Sequence, residues 1–244
     1  GTPSDTERIR LFNSIPLAPP YPVTATFKDN RTAVFDKDAW QINWHSGNFA
    51  YQLHAAITDN PARPDGINSL LRLFPFPAPE GKADFDCAIS AEKLSGNASF
   101  AGSFGDESGR FSADSDITLD GQTFIFKSLH YKNSSGGVAI DFAPAAITVK
   151  PNGEYQLSGK ISAFALNTPT AKLSLTGEAE FSGVWRNGQL PEISFGGATL
   201  KDGSISGTLE QIKVENPSGA AILRQVAFAS PSQIDAAEFS GNFG

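Results

Sequence analysis

The feature that most constrains this chain is a strict alternation of apolar and polar residues over long runs of its second half. In 154–163 the apolar or small residues Tyr155, Leu157, Gly159, Ile161 and Ala163 are separated by Glu154, Gln156, Ser158, Lys160 and Ser162. In 171–181 Ala171, Leu173, Leu175, Gly177, Ala179 and Phe181 alternate with Lys172, Ser174, Thr176, Glu178 and Glu180. A period of two puts every second side chain on the same face of a strand, one dry and one wet. Strands wet on one face belong to antiparallel sheets, because a parallel sheet is covered by helices on both faces. Turn signals recur between the runs at Asp120-Gly121, Asn152-Gly153, Asn187-Gly188 and Asp202-Gly203. These dipeptides suit the positive φ that tight hairpin turns require.

The alternation carries a repeat, apolar-(Ser/Ala)-Gly-x-apolar. It occurs at Phe100–Phe104, Leu157–Ile161, Phe181–Trp185, Ile205–Leu209 and Phe239–Phe243, and the middle three copies start at 157, 181 and 205. A step of that length fits two strands and their turns. It keeps one face inward from copy to copy, provided bulges cancel. A glycine between two large apolar residues marks a bend or a close approach by something else. The fold expected is all-β: a long antiparallel sheet curled into a groove. The alternative is a β-sandwich or barrel in which the glycines only relieve packing.

The beginning of the chain reads differently. Prolines at 16, 19, 20 and 22 make the start irregular. Strand-like segments follow at 23–27, 33–35, 40–44 and 49–57. One short helix is expected near 65–74, capped by Asp65 and stopped by Pro75, with Ile67, Leu70, Leu71 and Phe74 on one face. That helix is expected to cap one end of the sheet. The connector Pro75-Phe76-Pro77-Ala78-Pro79 suggests a soft boundary, giving an N-terminal region of residues 1–80 and a repetitive β region of residues 81–244. Gly1-Thr2-Pro3 carries no initiator methionine and is expected to be a trimmed or processed end.

Composition excludes several classes. The net charge of −7 argues against a phosphate-binding, nucleic-acid surface. The single cysteine, Cys87, excludes an internal disulfide and a cysteine-rich zinc site, and is expected to be a small buried apolar residue. No run of 18 apolar residues is present, so no transmembrane helix is expected. The three histidines, His45, His54 and His130, lack metal-ligand spacing. Asp84 with Asp86, and Asp114 with Asp116, are acid pairs of the kind glycosidases use, but solvated surface charge is the simpler reading. Trp40 and Trp44 share a strand face, where sugar stacking and core packing are both open. The glycine-rich stretch 102–109 reads as a hairpin loop, since no helix follows to hold a phosphate. Neither a catalytic centre nor a cofactor is expected, and the chain is read as non-enzymatic.

The units Tyr155–Ile161 and Ala179–Trp185, with their Asp-Gly and Asn-Gly hairpins, resemble the AsmA-like envelope proteins of Gram-negative bacteria, of the YdbH and TamB types. The resemblance covers roughly 82–244 and departs from the family in lacking an N-terminal membrane anchor. It implies a groove with an apolar lining, a place in the periplasm or cell envelope, and movement of phospholipid between membranes. The physics of such a groove is independent of the family. A lipid chain in water loses about 0.8 kcal/mol per exposed CH₂, and a curled sheet with one dry face shelters it.

The lining expected from the alternation is Phe100, Phe104, Leu157, Ile161, Leu173, Leu175, Phe181, Trp185, Ile205, Leu209, Phe239 and Phe243. In an open groove there is room for added side chains, so Gly183→Arg is expected to obstruct a ligand more than it harms folding. The partners expected are a lipid or other apolar ligand and, through free strand edges, another envelope protein. Alternative functions are a carbohydrate- or protein-binding sandwich and a ligand-free scaffold.

Overall fold

A computed structural model describes residues 23–26, 32–36, 38–57, 73–90, 93–169, 171–216 and 219–240, with side chains up to residue 194. The chain is all-β, with no helix among the described residues. Fourteen strands follow one another: β1 (Val23–Thr26), β2 (Thr32–Phe35), β3 (Ala39–Ser46), β4 (Phe49–Ile57), β5 (Glu80–Ile89), β6 (Leu94–Gly105), β7 (Gly109–Asp120), β8 (Thr123–Phe126), β9 (Leu129–Asn133), β10 (Val138–Val149), β11 (Tyr155–Asn167), β12 (Ala171–Trp185), β13 (Glu192–Asn216) and β14 (Gly219–Ser240). They form two compact units, the first made of residues up to 103 with 116–124, the second of 104–115 with 125 onward. The chain passes between them within β6, β7 and β8.

In the first unit β1 to β4 form an antiparallel meander. β4 and β5 are then parallel, from Phe49 opposite Gly81 to Ile57 opposite Ile89. The sequence pattern pointed only to antiparallel pairing. The exception has a physical cause in the long connection 58–79, since parallel strands need a crossover of a dozen or more residues. β5 alternates as its sequence does: Ala83, Phe85, Cys87 and Ile89 are buried, Asp84 and Asp86 exposed.

Ile67, Leu70 and Leu71 of the expected capping helix lie outside the described residues. Phe74, its last apolar position, lies in a bend rather than a helix. It still packs on the sheet, with ring centroids 4.7 Å from Phe49 and 5.0 Å from Phe100. Phe76 adds an edge contact to Phe124 at 5.0 Å. The proline-rich stretch suits this role, because extended backbone lets successive aromatics reach into the core without a helix.

In the second unit β10 to β14 are a pure antiparallel meander, and β9 bridges β7 and β10. β13 and β14 are 25 and 22 residues long. Among the described residues β14 ends the strand order beside β13, so this sheet is open and not a barrel. It is nevertheless curled. Phe111 on β7 lies 5.0 Å from Trp185 on β12, and Phe104 lies 6.4 Å from the same indole, although other strands intervene in the sheet. Register shifts in β10 near 142–145, between β11 and β12 near 161–163, and twice between β12 and β13 supply the bending.

The middle repeat copies lie on three successive strands, β11, β12 and β13, which corrects the expected two-strand step: 24 residues advance the chain by one long strand and its turn. Leu157-Ser158-Gly159 and Phe181-Ser182-Gly183 are antiparallel partners, so Leu157 faces Gly183, Ser158 faces Ser182 and Gly159 faces Phe181. Each large residue of one copy lies opposite the glycine of the other. The glycines are also sites of close backbone approach. A Cβ at Gly159 would stand 2.2 Å from the Pro144 carbonyl oxygen, and one at Gly183 2.3 Å from that of Glu192. This bears on the expectation that Gly183→Arg obstructs a ligand more than it harms folding: the added side chain meets neighbouring backbone, so the harm to folding comes first.

Candidate functional site: an apolar face that runs from closed to half-open

Cross-strand partners share a face of the sheet, so the register of the second unit can be followed as rows. One row runs Phe111, Tyr131, Ile140, Phe164, Leu175 across β7, β9, β10, β11 and β12. Its first three members are buried and its last two half-buried. The neighbouring row Val138, Leu166, Leu173 is half-buried throughout. Toward the other end of β12 the face closes. Phe142, Ile161 and Phe181 are buried, and the Phe142 and Phe181 rings meet at 4.7 Å. Beyond them Trp185 is 0% exposed, stacked on Tyr155 at 4.6 Å.

Among the expected lining residues, Phe104, Leu157, Ile161, Phe181 and Trp185 are thus buried in the second unit. Phe100 is buried in the first unit beneath Phe74. Leu173 and Leu175 are half-buried on the strictly alternating strand β12. Ile205 is the backbone partner of Leu173, and Leu209 and Phe239 also lie in described strands; their side chains, and all of Phe243, lie outside the described residues.

The structure adds Phe164 and Leu166, which the alternation missed. The register shift between Ile161 and Ala163 changes the pairing parity, so even-numbered residues of β11 oppose odd-numbered residues of β12. The signal in the sequence is the change of apolar positions from Ile161 to Phe164 and Leu166.

The closed end is fastened by a loop-to-loop clasp. The Asp106 carboxylate, in the β6–β7 turn, accepts from the Gly188 N–H at 2.7 Å, the Ser108 N–H at 2.8 Å and the Ser108 hydroxyl at 2.5 Å. Ser108 Oγ also approaches the Gln189 carbonyl oxygen at 2.9 Å. Burial alone would raise the Asp106 carboxyl; the hydrogen bonds from Ser108, Gly188 and Gly109 outweigh it and hold the group below the usual carboxylate range. Below this clasp, Tyr131 Oη and Trp185 Nε1 are buried without a hydrogen-bond partner. Burial, and secondarily the charge of Asp106, pushes the Tyr131 phenol up to about 12.

The other chemistry-bearing residues that the sequence singled out are placed as follows. His45 and His54 face Ala50 and Gln41 across the β3–β4 hairpin, not each other. Among the described residues no group of three or more His, Cys, Asp or Glu could hold a metal ion. Asp84, Asp86, Asp114 and Asp116 are exposed. Trp40 and Trp44 are buried, so this pair presents no exposed platform for a sugar. His130 Nδ1 lies 2.5 Å from Asp141 Oδ1, both side chains are exposed, and Ser112 is the strand neighbour of His130. A shallow open cleft of about 450 Å³ follows the register shifts between Pro144, Lys160, Ser162 and Thr176, and Lys160 Nζ stands 3.7 Å from Glu178 Oε2 beside it. No described helix is long and apolar enough to cross a membrane.

Fold and site together define an all-β protein built on a long antiparallel sheet with one graded apolar face. Comparisons with protein-family models, with curated proteins and with solved structures find no match to this chain.

Proposed function

We propose that the protein is a non-enzymatic envelope protein that binds lipid along the apolar face of its second unit. One observation carries this reading: the aligned rows of that face pass from buried aromatics to the half-buried Phe164, Leu166, Leu173 and Leu175. Here they adjoin a dry interior, so each CH₂ of an acyl chain laid on them recovers up to about 0.8 kcal/mol. Aliphatic contacts are non-directional, so the expected selectivity among chains is broad. The Gram-negative periplasm, and a role in moving lipid between membranes, are proposed on the resemblance of the repeat to AsmA-like proteins.

The test is a photocrosslinker placed at Leu175 or Lys172, which alternate on β12, in protein expressed in a Gram-negative envelope. Lipid adducts at Leu175 and none at Lys172 are expected. Equal labelling, or no adduct at either site in folded protein, would refute the reading. A second reading has its own observation. β14 ends the strand order and is 22 residues long, which offers an edge for strand addition by a partner protein. A complex that survives purification and protects the β14 amides from exchange would favour it.

A further inference from the structure

The second unit contains two hydrogen-bond donors that its own packing does not use. Tyr131 Oη and Trp185 Nε1 are both buried and both unpartnered. Their rings flank one side chain, Phe111, at centroid distances of 4.9 and 5.0 Å. Buried polar groups are almost always paired, and leaving one unpaired is destabilising, so such a pair calls for a cause. At position 131 phenylalanine would keep the ring without the unpaired hydroxyl.

The place of Tyr131 supplies the cause. In its row only Ile140 stands between it and the half-open Phe164 and Leu175. Its hydroxyl lies against Gly109, where a Cβ would come within 2.4 Å of Oη, so the space that the oxygen occupies exists because position 109 has no side chain. We propose that Tyr131 Oη, assisted by Trp185 Nε1, donates to the ester carbonyl of an uncharged glycerolipid whose acyl chain lies along the Phe164–Leu175 face. The proposal rests on the lipid-binding reading above and narrows its ligand class.

Three properties favour a neutral ester. Indole N–H can only donate, so the ligand atom must be an acceptor. The walls are aromatic and aliphatic, so an ion would lose its hydration without compensation. Asp106 is close enough to oppose ionisation of both Tyr131 and Tyr155, so a fatty-acid carboxylate would meet the same negative field. The elevated Tyr131 phenol keeps its proton throughout the physiological range and remains a donor.

The experiment uses the full chain, freed of lipid, with monoolein, its ether analogue and oleate as probes. Affinity is followed by calorimetry and lipid-free stability by thermal melting. The wild type is expected to prefer the ester to the ether by about five- to tenfold, the worth of one or more neutral hydrogen bonds, and to bind oleate more weakly. Tyr131→Phe should erase the ester preference, leave ether affinity unchanged and raise the lipid-free melting temperature. Trp185→Phe should reduce the preference in part. Equal binding of ester and ether by the wild type, or an ester preference that survives Tyr131→Phe, overturns the donor assignment while lipid binding stands. A lower lipid-free melting temperature for Tyr131→Phe would show that the hydroxyl is already satisfied within the protein and likewise overturns it. Failure of the wild type to bind any of the three probes overturns both this assignment and the lipid reading.

Discussion

Asp106→Asn should loosen the closed end of the curled sheet, and its effect should depend on pH. The substitution keeps the size of the side chain but removes the charge that draws in Gly188 N–H, Ser108 N–H and Ser108 Oγ. A hydrogen bond to a charged group contributes about 1.5–3 kcal/mol. The turn is reached by solvent, which screens the charge and replaces some of what is lost. The expected loss is therefore about 2 kcal/mol in total, well short of the sum over three such bonds. For a chain of this length that corresponds to a fall of roughly 4–8 °C in Tm. The hydrogen bonds hold the folded Asp106 carboxyl below its unfolded value. Its contribution is complete above the ordinary Asp range, near pH 4, and disappears as pH falls through the depressed folded value. Melting curves of wild type and variant should thus differ at neutral pH and converge as pH falls below the depressed folded value. A gap that persists undiminished in acid would refute the electrostatic account of the clasp. No gap at neutral pH would show that the two turns are held by packing alone.

Gly183→Ala places a Cβ 2.3 Å from the Glu192 carbonyl oxygen and should destabilise by about 1–3 kcal/mol, as overpacking does; a denaturant midpoint equal to wild type would contradict the close approach. Phe142→Ala removes a ring in van der Waals range of Phe181 and should lose about 3–5 kcal/mol, whereas Leu175→Ser, at a half-buried site, should change stability far less while lowering lipid uptake; comparable losses of stability would mean that Leu175 is core. The Cys87 thiol, pushed up to about 12 by burial and then by Asp86, should resist a disulfide exchange reagent at mildly alkaline pH until denaturant is added. Rapid labelling of the native protein would show that the first unit opens readily.

The alternation in 171–181 made one-sided strands legible without any structure, and β12 follows it from Lys172 to Phe181. The repeat was legible as a pattern but not as a pairing. Nothing local in Leu157-Ser158-Gly159 states that its partner is Phe181-Ser182-Gly183 reversed, because register depends on turn length and on bulges. The same bulges hid Phe164 and Leu166, which extend the dry face with the opposite parity from Leu157 and Ile161. Phe74 was legible as an apolar contact but not as a residue of a bend, because the prolines that fix its backbone act on a contact the apolar spacing alone does not place. The parallel pairing of β4 with β5 follows from the connection 58–79, whose path no residue pattern announces. Tyr131 carries no local signal in its short strand, since its meaning depends on Gly109 and Phe111, which arrive from β7.

The meander from β10 to β14 also bears on how such a chain can change length. Each strand there pairs with its immediate neighbours in sequence, so an inserted hairpin leaves the pairings on either side intact. That is the condition under which repeat architectures grow by duplication, with stability adding unit by unit. An insertion of even length returns the dry face to the same side, whereas an odd one turns it outward unless a bulge absorbs the difference. The 24-residue step between the repeat copies carries the chain from one strand to the next, β11 to β12 to β13, so two such steps make up the hairpin that duplication would add. The junction of β4 and β5 has no such freedom: a parallel pair is tied to its crossover, and an added hairpin there would have to re-route residues 58–79 and the aromatics they deliver.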